Sequence, residues 1–329
     1  MIKKNKGYFY FLTKAGYGLG SEINNILYMI YYFNKKKKDY KIISSNWNSG
    51  YNKGWSDYFN SPLQTSSSIN NNWTDKKETF WNDFFENPID KVNKLPSIKF
   101  RFAKFSKQIK NRNKSLGLVM GRIQNLFFPL RYYTRKYPTF RMIHRYCSNQ
   151  RNKNRKEFYK SIHNILSDIW IIRPEILSKI NSEIPTEPYI CIHIRRGDKI
   201  TSGEDKEYNI NDYIKTLSKL NSNVKTIFLM SDDYNAYLEL KKNLPEYNIL
   251  TKLNEDKIGH NQKKFNSLSQ EKIKKETILL LTEIEIAKRS EVFIGTFASN
   301  LFRLIEYFKL DNCYDISNVK QTAYTPHTL

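Results

Sequence analysis

The sequence has 329 residues, of which 26% are charged and 40% hydrophobic, and its formal net charge is +23. This length exceeds one small core and suits two ordinary domains of about 100 to 200 residues each. No stretch approaches the roughly 18 to 20 uncharged apolar residues of a membrane span, and the first residues lack the apolar region of a secretory signal. The three cysteines, Cys147, Cys191 and Cys313, show neither disulfide-framework nor zinc-site spacing. We therefore expect a cytoplasmic protein in a reducing compartment.

The first half of the chain begins with the pattern of a β-α-β unit. Its predicted elements are a strand, a helix and a second strand at residues 8–12, 21–33 and 40–44. Residues 61–75, rich in Ser and Asn, are predicted to form a loop, and residues 99–170 are predicted to be mostly helical. The last long helix is expected to end at Trp170–Glu175, before a linker to Pro188. We place an N-terminal α/β and helical domain at residues 1–182.

A block without acidic residues lies inside this half. Between Asp90 and Glu157, Lys and Arg occur nineteen times, which is most of the net positive charge. Such a block fits a surface for an anionic partner, such as nucleic acid, acidic glycan or anionic membrane. It also fits a solvated, compositionally biased insertion, and no nucleic-acid motif lies within it. Both interpretations stay open for residues 91–156, in a helical segment that extends to about residue 160.

Short apolar runs and amphipathic stretches alternate regularly in the second half. The predicted strands cover residues 188–193, 225–231, 247–251 and 291–295. The predicted helices cover residues 211–220, 234–242, 269–289 and 298–308. Ser267 and Gln270 stand at capping-box spacing before the longest helix. Strands that alternate with helices of this length need right-handed crossovers, so they form a parallel sheet.

We therefore predict a Rossmann-like domain at residues 183–329, with a parallel sheet and helices on both of its faces. Together with the N-terminal domain, it makes an α/β, GT-B-like two-domain glycosyltransferase fold. In that architecture, the ligand lies at the carboxyl ends of the parallel strands. Residues that directly follow the strands are consequently the first candidates for a site.

The densest group of polar residues follows the first strand of the second domain, in the sequence His193-Ile194-Arg195-Arg196-Gly197-Asp198-Lys199. Guanidinium groups donate paired hydrogen bonds to phosphate oxygens, so Arg195 and Arg196 can neutralise a departing diphosphate in place of a metal ion. Neighbouring strand residues point to opposite faces, so one arginine is expected to meet phosphate while the other braces the loop. A surface salt-bridge cluster is the alternative.

Two other strand ends carry candidate residues. Asp232 and Asp233 follow the second strand, where they have a structural role or contact the donor or the acceptor. The alternative is that Ser231-Asp232 simply caps the next helix. Thr296 and Ser299 lie where the last strand enters a helix, and hydroxyls and N–H groups at a helix start form a natural phosphate site.

A glycine-rich turn precedes the first helix. Gly16, Gly18 and Gly20 lack the spacing of a dinucleotide fingerprint, and no acidic residue ends the next strand. The turn can let backbone approach a pyrophosphate or an acceptor across the cleft, or it can serve tight packing alone.

These motifs resemble, in order, those of the α-1,6-fucosyltransferase family. The HxRRxDK loop resembles that family's signature, which α-1,2- and protein O-fucosyltransferases show in looser form. The other matching segments are Gly16–Ser21 with its helix, Asn46-Trp47 with Gly54-Trp55, Ile172–Pro174, Ser231–Asp233 and Thr296–Arg303. The resemblance covers roughly residues 8–60 and 165–308, and leaves residues 61–160 unmatched.

The resemblance implies a role for each matching residue. His193 and Arg195 would contact the nucleotide, Arg196 would support or bind phosphate, and Asp198 and Lys199 would shape the loop. The family's catalytic base, a glutamate after this loop, corresponds to Glu204 if one residue is inserted; Asp205 and Glu207 are its competitors.

The resemblance also carries over a guanine-binding position and roles for three other residues. The family's guanine-binding aspartate corresponds to Glu283, whose longer side chain puts specificity for guanine in question. Arg303 would be internal support. Trp47 and Trp55 either stack on an acceptor sugar or belong to the core.

The resulting prediction is an inverting, metal-independent transferase that moves L-fucose from GDP-fucose to a hydroxyl of a glycan or glycoconjugate. The first domain would take the acceptor and the second the donor, with no further cofactor. A transferase using another nucleotide sugar is one alternative. The other is a nucleic-acid-binding protein on a transferase-derived fold, which the basic block motivates.

Overall fold

The structure, a computed structural model, describes residues 8–11, 18–37, 40–43, 47, 49–52, 54–60, 73–74, 140–197, 200, 206–220 and 222–317. Two compact units divide the chain, Met1–Asp75 with His144–Leu329 and Lys76–Ile143, and the contacts given below all lie in the first unit. The predicted division at residue 182 stays a prediction.

The N-terminal part contains a small parallel sheet and several helices. Strands β1, β2 and β3 cover Tyr8–Phe11, Tyr40–Ile43 and Trp73–Thr74, and they lie in that order. Helices α1, α2, α3 and α4 cover Leu19–Lys35, Phe140–Lys153, Arg155–Ile169 and Pro174–Asn181. A single 3₁₀ turn spans Gly54–Asp57.

The C-terminal part is built on a five-stranded parallel sheet. Strands β4 to β8 cover Ile190–Ile194, Thr226–Ser231, Asn248–Thr251, Val292–Gly295 and Cys313–Asp315. Helices α5 to α9 cover Ile210–Lys219, Tyr234–Asn243, Gln262–Asn266, Gln270–Arg289 and Asn300–Lys309. The strand order β6-β5-β4-β7-β8 places the topological switch between β4 and β7, where such sheets bind ligands.

Strand β4 is buried along its whole length because helices cover both faces of the sheet. Ile190, Ile192 and Ile194 pack in one cluster with residues of α5 and α6. The alternate residues, Cys191 and His193, therefore point to the opposite face, where His193 lies 6.4 Å from Phe293, ring centre to ring centre. The two arginines that follow β4 leave the sheet at this central position.

Helix α1 is largely buried and packs on α9. The hydroxyls of Tyr28 and Tyr307 lie 2.7 Å apart, and Asn24 Nδ2 donates to the carbonyl of Asn300 at 2.8 Å. A methyl group at Gly20 would come within 2.8 Å of Leu301. The beginnings of α1 and α9 therefore lie side by side.

Four elements differ from the sequence prediction. Pro174 opens the separate helix α4, because proline fits the first helical turn, whereas we predicted a linker there. Two residues of the predicted loop 61–75 form β3, and α7 and β8 were not predicted. The cap of α8 is Ser269, whose hydroxyl accepts from Lys272 N, rather than a box starting at Ser267.

Candidate functional site

The two arginines that follow β4 are held differently. Arg196 is half-buried, and its guanidinium donates to both carboxylate oxygens of Glu239 on α6, at 2.9 and 2.7 Å. Its Nε lies 3.5 Å from Glu207, and Nη1 lies 3.8 Å from Asp233. The hydrogen bonds to Glu239 raise the pKa of Arg196 above its usual value. Arg196 therefore braces the loop against α6, as one of the two was predicted to do.

Arg195 belongs to the face that His193 occupies. The positive charge of Arg195 contributes to lowering the pKa of His193 to about 3, after the larger effect of burial. His193 is 4% exposed, and its Nδ1 has no hydrogen-bond partner among the described residues. A neutral imidazole with a nitrogen left for a partner therefore lies beside Arg195.

Asp232 ties the arginine loop to a second loop. Its Oδ1 accepts from Arg196 N at 2.7 Å, and its Oδ2 accepts from His260 N at 3.3 Å. Gly197 and Gly259 both have positive φ values, 52° and 69°. A Cβ on Gly197 would lie 2.5 Å from His260 N, and one on Gly259 would lie 2.8 Å from the Cα of Gly197. Only glycine fits this backbone-to-backbone contact.

Asp233 caps a helix. Its Oδ1 accepts from Asn235 N at 3.0 Å, so Asp233, rather than Ser231-Asp232, is the N-cap of α6. Both carboxylates of the Asp232-Asp233 pair are thus engaged by protein groups, and the predicted contact of either residue with the donor stays a prediction.

The turn between β7 and α9 is buried and well ordered by hydrogen bonds. Thr296 and Ser299 are 3% and 2% exposed, and Ser299 Oγ caps α9 by accepting from Leu301 N at 3.2 Å. The backbone N–H of Phe297 donates to Asp315 Oδ1 at 2.9 Å, which fixes the turn from the β8 side. The N-terminus of α9 therefore opens next to β4 at the switch point.

The glycine-rich turn reaches the same region from α1. Gly18 is the N-cap of α1 and has no side chain to cap it. A Cβ on Gly18 would lie 3.2 Å from Gln262 Oε1, which in turn lies 3.2 Å from His260 Nε2. Glycine is required at position 20 by packing, since the space that a side chain would need is filled by Leu301 of α9. The turn, the arginine loop and the loop at 259–262 thus form one set of neighbours.

Glu283 is a buried carboxyl on α8. It is 8% exposed, and burial raises its pKa to about 8, with smaller effects from Lys257, Glu276 and Asp232. Its charge also acts on Cys191 of β4. No described residue forms a hydrogen bond with Glu283, so this carboxyl keeps its capacity to accept hydrogen bonds.

Several predicted site residues lie outside the described residues. These are Asp198 and Lys199 of the signature loop and two of the three candidate bases, Glu204 and Asp205. The third candidate, Glu207, contacts Arg196, as given above. The choice of the base stays a prediction.

The two tryptophans belong to the core. Trp47 and Trp55 are each 1% exposed and lie 5.6 Å apart, and Trp55 stacks on Phe59 at 4.2 Å. Asp57 folds this segment by accepting from three backbone N–H groups at 2.8 to 3.0 Å. The core alternative is confirmed, and neither indole has the exposed face that a sugar needs for stacking.

Sequence reasoning missed two features of the region. The loop at 259–262 was not singled out, although Gly259 between Ile258 and His260 is a turn signal that could have found it. Glu22, in the first turn of α1, is 2% exposed, and burial raises its pKa to about 7. A lone acidic residue in an otherwise apolar helix was the available signal.

Comparison with family models and with curated proteins gives no match. Two solved structures resemble the chain over nearly its whole length. The α-1,6-fucosyltransferase NodZ, in crystals soaked with GDP-fucose, covers 92% of this chain and 93% of its own, with a TM-score of 0.50 and 12% identity. The match to fucosyltransferase NodZ from Bradyrhizobium covers 95% of this chain and 96% of that protein, with a TM-score of 0.52 and 10% sequence identity.

At this identity, the likeness shows the fold. The chain has the α/β, GT-B-like fold of these fucosyltransferases, with a five-stranded parallel sheet flanked by helices, as predicted. None of the described helices is both long and apolar enough to cross a membrane.

Proposed function

We propose that the chain is an inverting, metal-independent fucosyltransferase that takes L-fucose from GDP-fucose and transfers it to a glycan or glycoconjugate hydroxyl. The observation that carries this proposal is the grouping of Arg195, Arg196 and the β7–α9 turn at the switch point of the sheet. Its fold is that of NodZ, a fucosyltransferase that was solved after soaking with GDP-fucose.

Arg195 would bind the donor diphosphate directly, and Arg196 would hold the loop. The hydrogen bonds from Arg196 to Glu239 support this division. Positive charge next to the departing diphosphate stabilises the transition state. The N-termini of α1 and α9 would add backbone N–H donors for the same phosphates.

Glu283 and His193 would read the base. Guanine offers two adjacent donors, N1–H and the 2-amino group, and a carboxylate accepts both. Glu283 is a buried carboxyl without a described hydrogen-bond partner, and the neutral His193 has a nitrogen to spare. Uracil lacks this pair of donors, so the arrangement favours GDP over UDP.

Glu204 would be the base that removes the acceptor proton as the hydroxyl attacks C1 of fucose. The displacement needs a carboxylate on the face opposite the leaving diphosphate. This assignment rests on the resemblance and on an inserted residue, and Asp205 and Glu207 are its alternatives.

A calorimetric screen of GDP, UDP, ADP and dTDP tests the donor class without knowledge of the acceptor. GDP is expected to bind in the micromolar range and to bind equally well in EDTA, because the arginines supply the charge that a metal would bring. Equal binding of UDP, or loss of GDP binding in EDTA, would contradict the proposal.

The basic block at 91–156 supports a second candidate, a nucleic-acid-binding role. An RNA or DNA affinity that falls steeply with salt is the signature of that role. The fucosyltransferase proposal is favoured because the block does not explain the arginine loop or its neighbours.

A further inference from the structure

Arg151, near the end of α2, is a buried guanidinium that no described residue pairs. Arg151 is only 5% exposed, and its Nη2 is buried without a hydrogen bond to any described residue. No carboxylate among the described residues forms an ion pair with it. Unpaired buried charges are strongly unfavourable, so the surroundings of Arg151 must compensate this charge.

A small cavity adjoins this side chain. It is lined by Tyr28, His144, Cys147, Ser148, Arg151 and Phe158, and its volume of about 10 Å³ admits one small particle. Ser148 Oγ is a second buried polar atom there without a hydrogen bond among the described residues. Two donors thus border one small space.

The other walls bring no negative charge. Burial lowers the pKa of His144 to about 3, so this ring is neutral, and burial raises the pKa of the Cys147 thiol well above its usual value. The carboxylate of Glu306 interacts electrostatically with Arg151, but its hydrogen bonds go to Arg155 Nη2 and to the hydroxyl of Tyr159, each at 2.8 Å. Arg151 therefore shares this one negative charge with Arg155.

A second cation lies near Arg151. The Phe297 ring lies between the guanidinium of Arg151, at 5.2 Å, and that of Arg303, at 5.7 Å. Arg303 is also the second cause of the low pKa of His144. The start of α9, where the helix dipole is positive, is at residue 300. The region around the cavity is therefore positive.

We propose that this cavity binds one monatomic anion of the size of chloride, held by Arg151 Nη2 and Ser148 Oγ. A water molecule would complete the hydrogen bonds but would leave Arg151 and Arg155 with the single negative charge of Glu306 between them. A monatomic anion would complete the hydrogen bonds and add a second negative charge. The cavity borders the β7–α9 turn through Phe297, but none of its lining residues is assigned to the donor, and the proposal does not depend on the transfer of fucose.

Thermal unfolding of the full chain tests the proposal, with sodium chloride compared with sodium gluconate at equal ionic strength. Chloride is expected to raise the midpoint saturably, by about 2–4 °C, because a ligand that binds only the folded state stabilises it. Arg151→Met is expected to abolish this specific effect, since it removes the proposed donor and its charge. Ser148→Ala should weaken the chloride effect.

Arg155→Met is the matched control, because it removes an arginine of the same region that already has Glu306 as its partner. It is expected to lose stability yet keep the full chloride effect. Should chloride and gluconate give the same midpoint for the parent chain, the space holds water and the proposal is wrong.

Crystals of the unaltered chain grown in bromide give a direct readout that does not depend on the variants folding. An anomalous peak at hydrogen-bond distance from Arg151 and Ser148 is expected. Its absence, or bromide at other surfaces only, would overturn the proposal.

Discussion

Arg195 and Arg196 are adjacent in the sequence but have different surroundings. Arg196 is held by Glu239, Glu207 and Asp233, whereas Arg195 lies on the side of the buried His193. The sequence could not distinguish the two arginines. Because neighbouring strand residues point to opposite faces, it predicted only that one of the two would brace the loop. Which one does so follows from the acidic residues of α6, which lie on one face of the sheet.

Arg195→Ala and Glu204→Gln are expected to separate donor binding from chemistry. Arg195→Ala should lower turnover by about 10²- to 10³-fold and should also lower the affinity for GDP, because the same charge stabilises the bound and the departing diphosphate. Glu204→Gln should lower turnover but leave GDP affinity nearly unchanged, because a general base acts only in the chemical step. Calorimetry and initial rates measure the two effects.

Glu239→Gln is the control, since it keeps both arginines and weakens only the brace. Its loss of turnover should be much smaller than that of Arg195→Ala. If Glu204→Gln has normal turnover while Glu207→Gln or Asp205→Asn is inactive, the catalytic base is one of these other residues. If Arg195→Ala keeps normal turnover and GDP affinity, the diphosphate binds elsewhere.

Glu283 gives the site an expected pH dependence. Burial raises its pKa to about 8, so the carboxyl is protonated in the free protein below that pH, whereas guanine needs the carboxylate. Donor binding must then release a proton, and GDP affinity should rise with pH, by up to about tenfold per unit between pH 6 and 8. Glu283→Gln, which keeps the diphosphate contacts, should bind GDP more weakly and lose this added slope. An unchanged slope in Glu283→Gln would show that Glu283 does not contact the base.

At the scale of elements, the strands and helices of the C-terminal half follow the sequence prediction within one or two residues. The reason is that each strand is a short apolar run and each helix has a one-sided apolar pattern, so local composition and burial agree. β8 and α7 were missed because they are short and lie next to polar residues. β3 is defined by its pairing with β2, with Ile42 opposite Trp73, and no local pattern reports such pairing.

The contact between two loops was also beyond sequence reasoning. Gly197 and Gly259 touch across 62 positions of the sequence, and Asp232 joins their loops through two backbone N–H groups. In the sequence alone, Gly197, Asp232 and Gly259 are far apart and nothing indicates that they are in contact. The positive φ values of both glycines and the missing space for a Cβ appear only once the chain is folded.

Gly197→Ala is expected to destabilise the protein by roughly 2 to 4 kcal/mol, because it combines a left-handed backbone with a clash against the backbone of His260. Gly259→Ala should behave similarly, and the double variant should lose less than the sum, since both changes break one contact. Gly18→Ala is the matched control, because its φ is ordinary and its only near neighbour is the tip of Gln262. Denaturant unfolding measures all three; a Gly197→Ala variant as stable as Gly18→Ala would contradict the proposed contact.

At the scale of the molecule, the position of the candidate site follows from one topological fact. A parallel sheet with the order β6-β5-β4-β7-β8 has its switch point between β4 and β7, and the residues singled out in the sequence follow those two strands. The first half of the chain contributes through α1, whose start lies beside that of α9. The sequence gives no comparable indication of the acceptor, because none of its motifs specifies a glycan and two of the three candidate bases, Glu204 and Asp205, lie outside the described residues.

The most direct test of the central claim is donor consumption. The chain is incubated with equimolar GDP-fucose, GDP-mannose and UDP-N-acetylglucosamine in EDTA, with water as the only acceptor, and the sugars are followed by nuclear magnetic resonance. We predict that only GDP-fucose is consumed, slowly, and that the released fucose first appears as the anomer opposite to that in the donor, because an inverting displacement reverses the configuration at C1. Consumption of a different donor, or release of fucose with its configuration retained, would contradict the account.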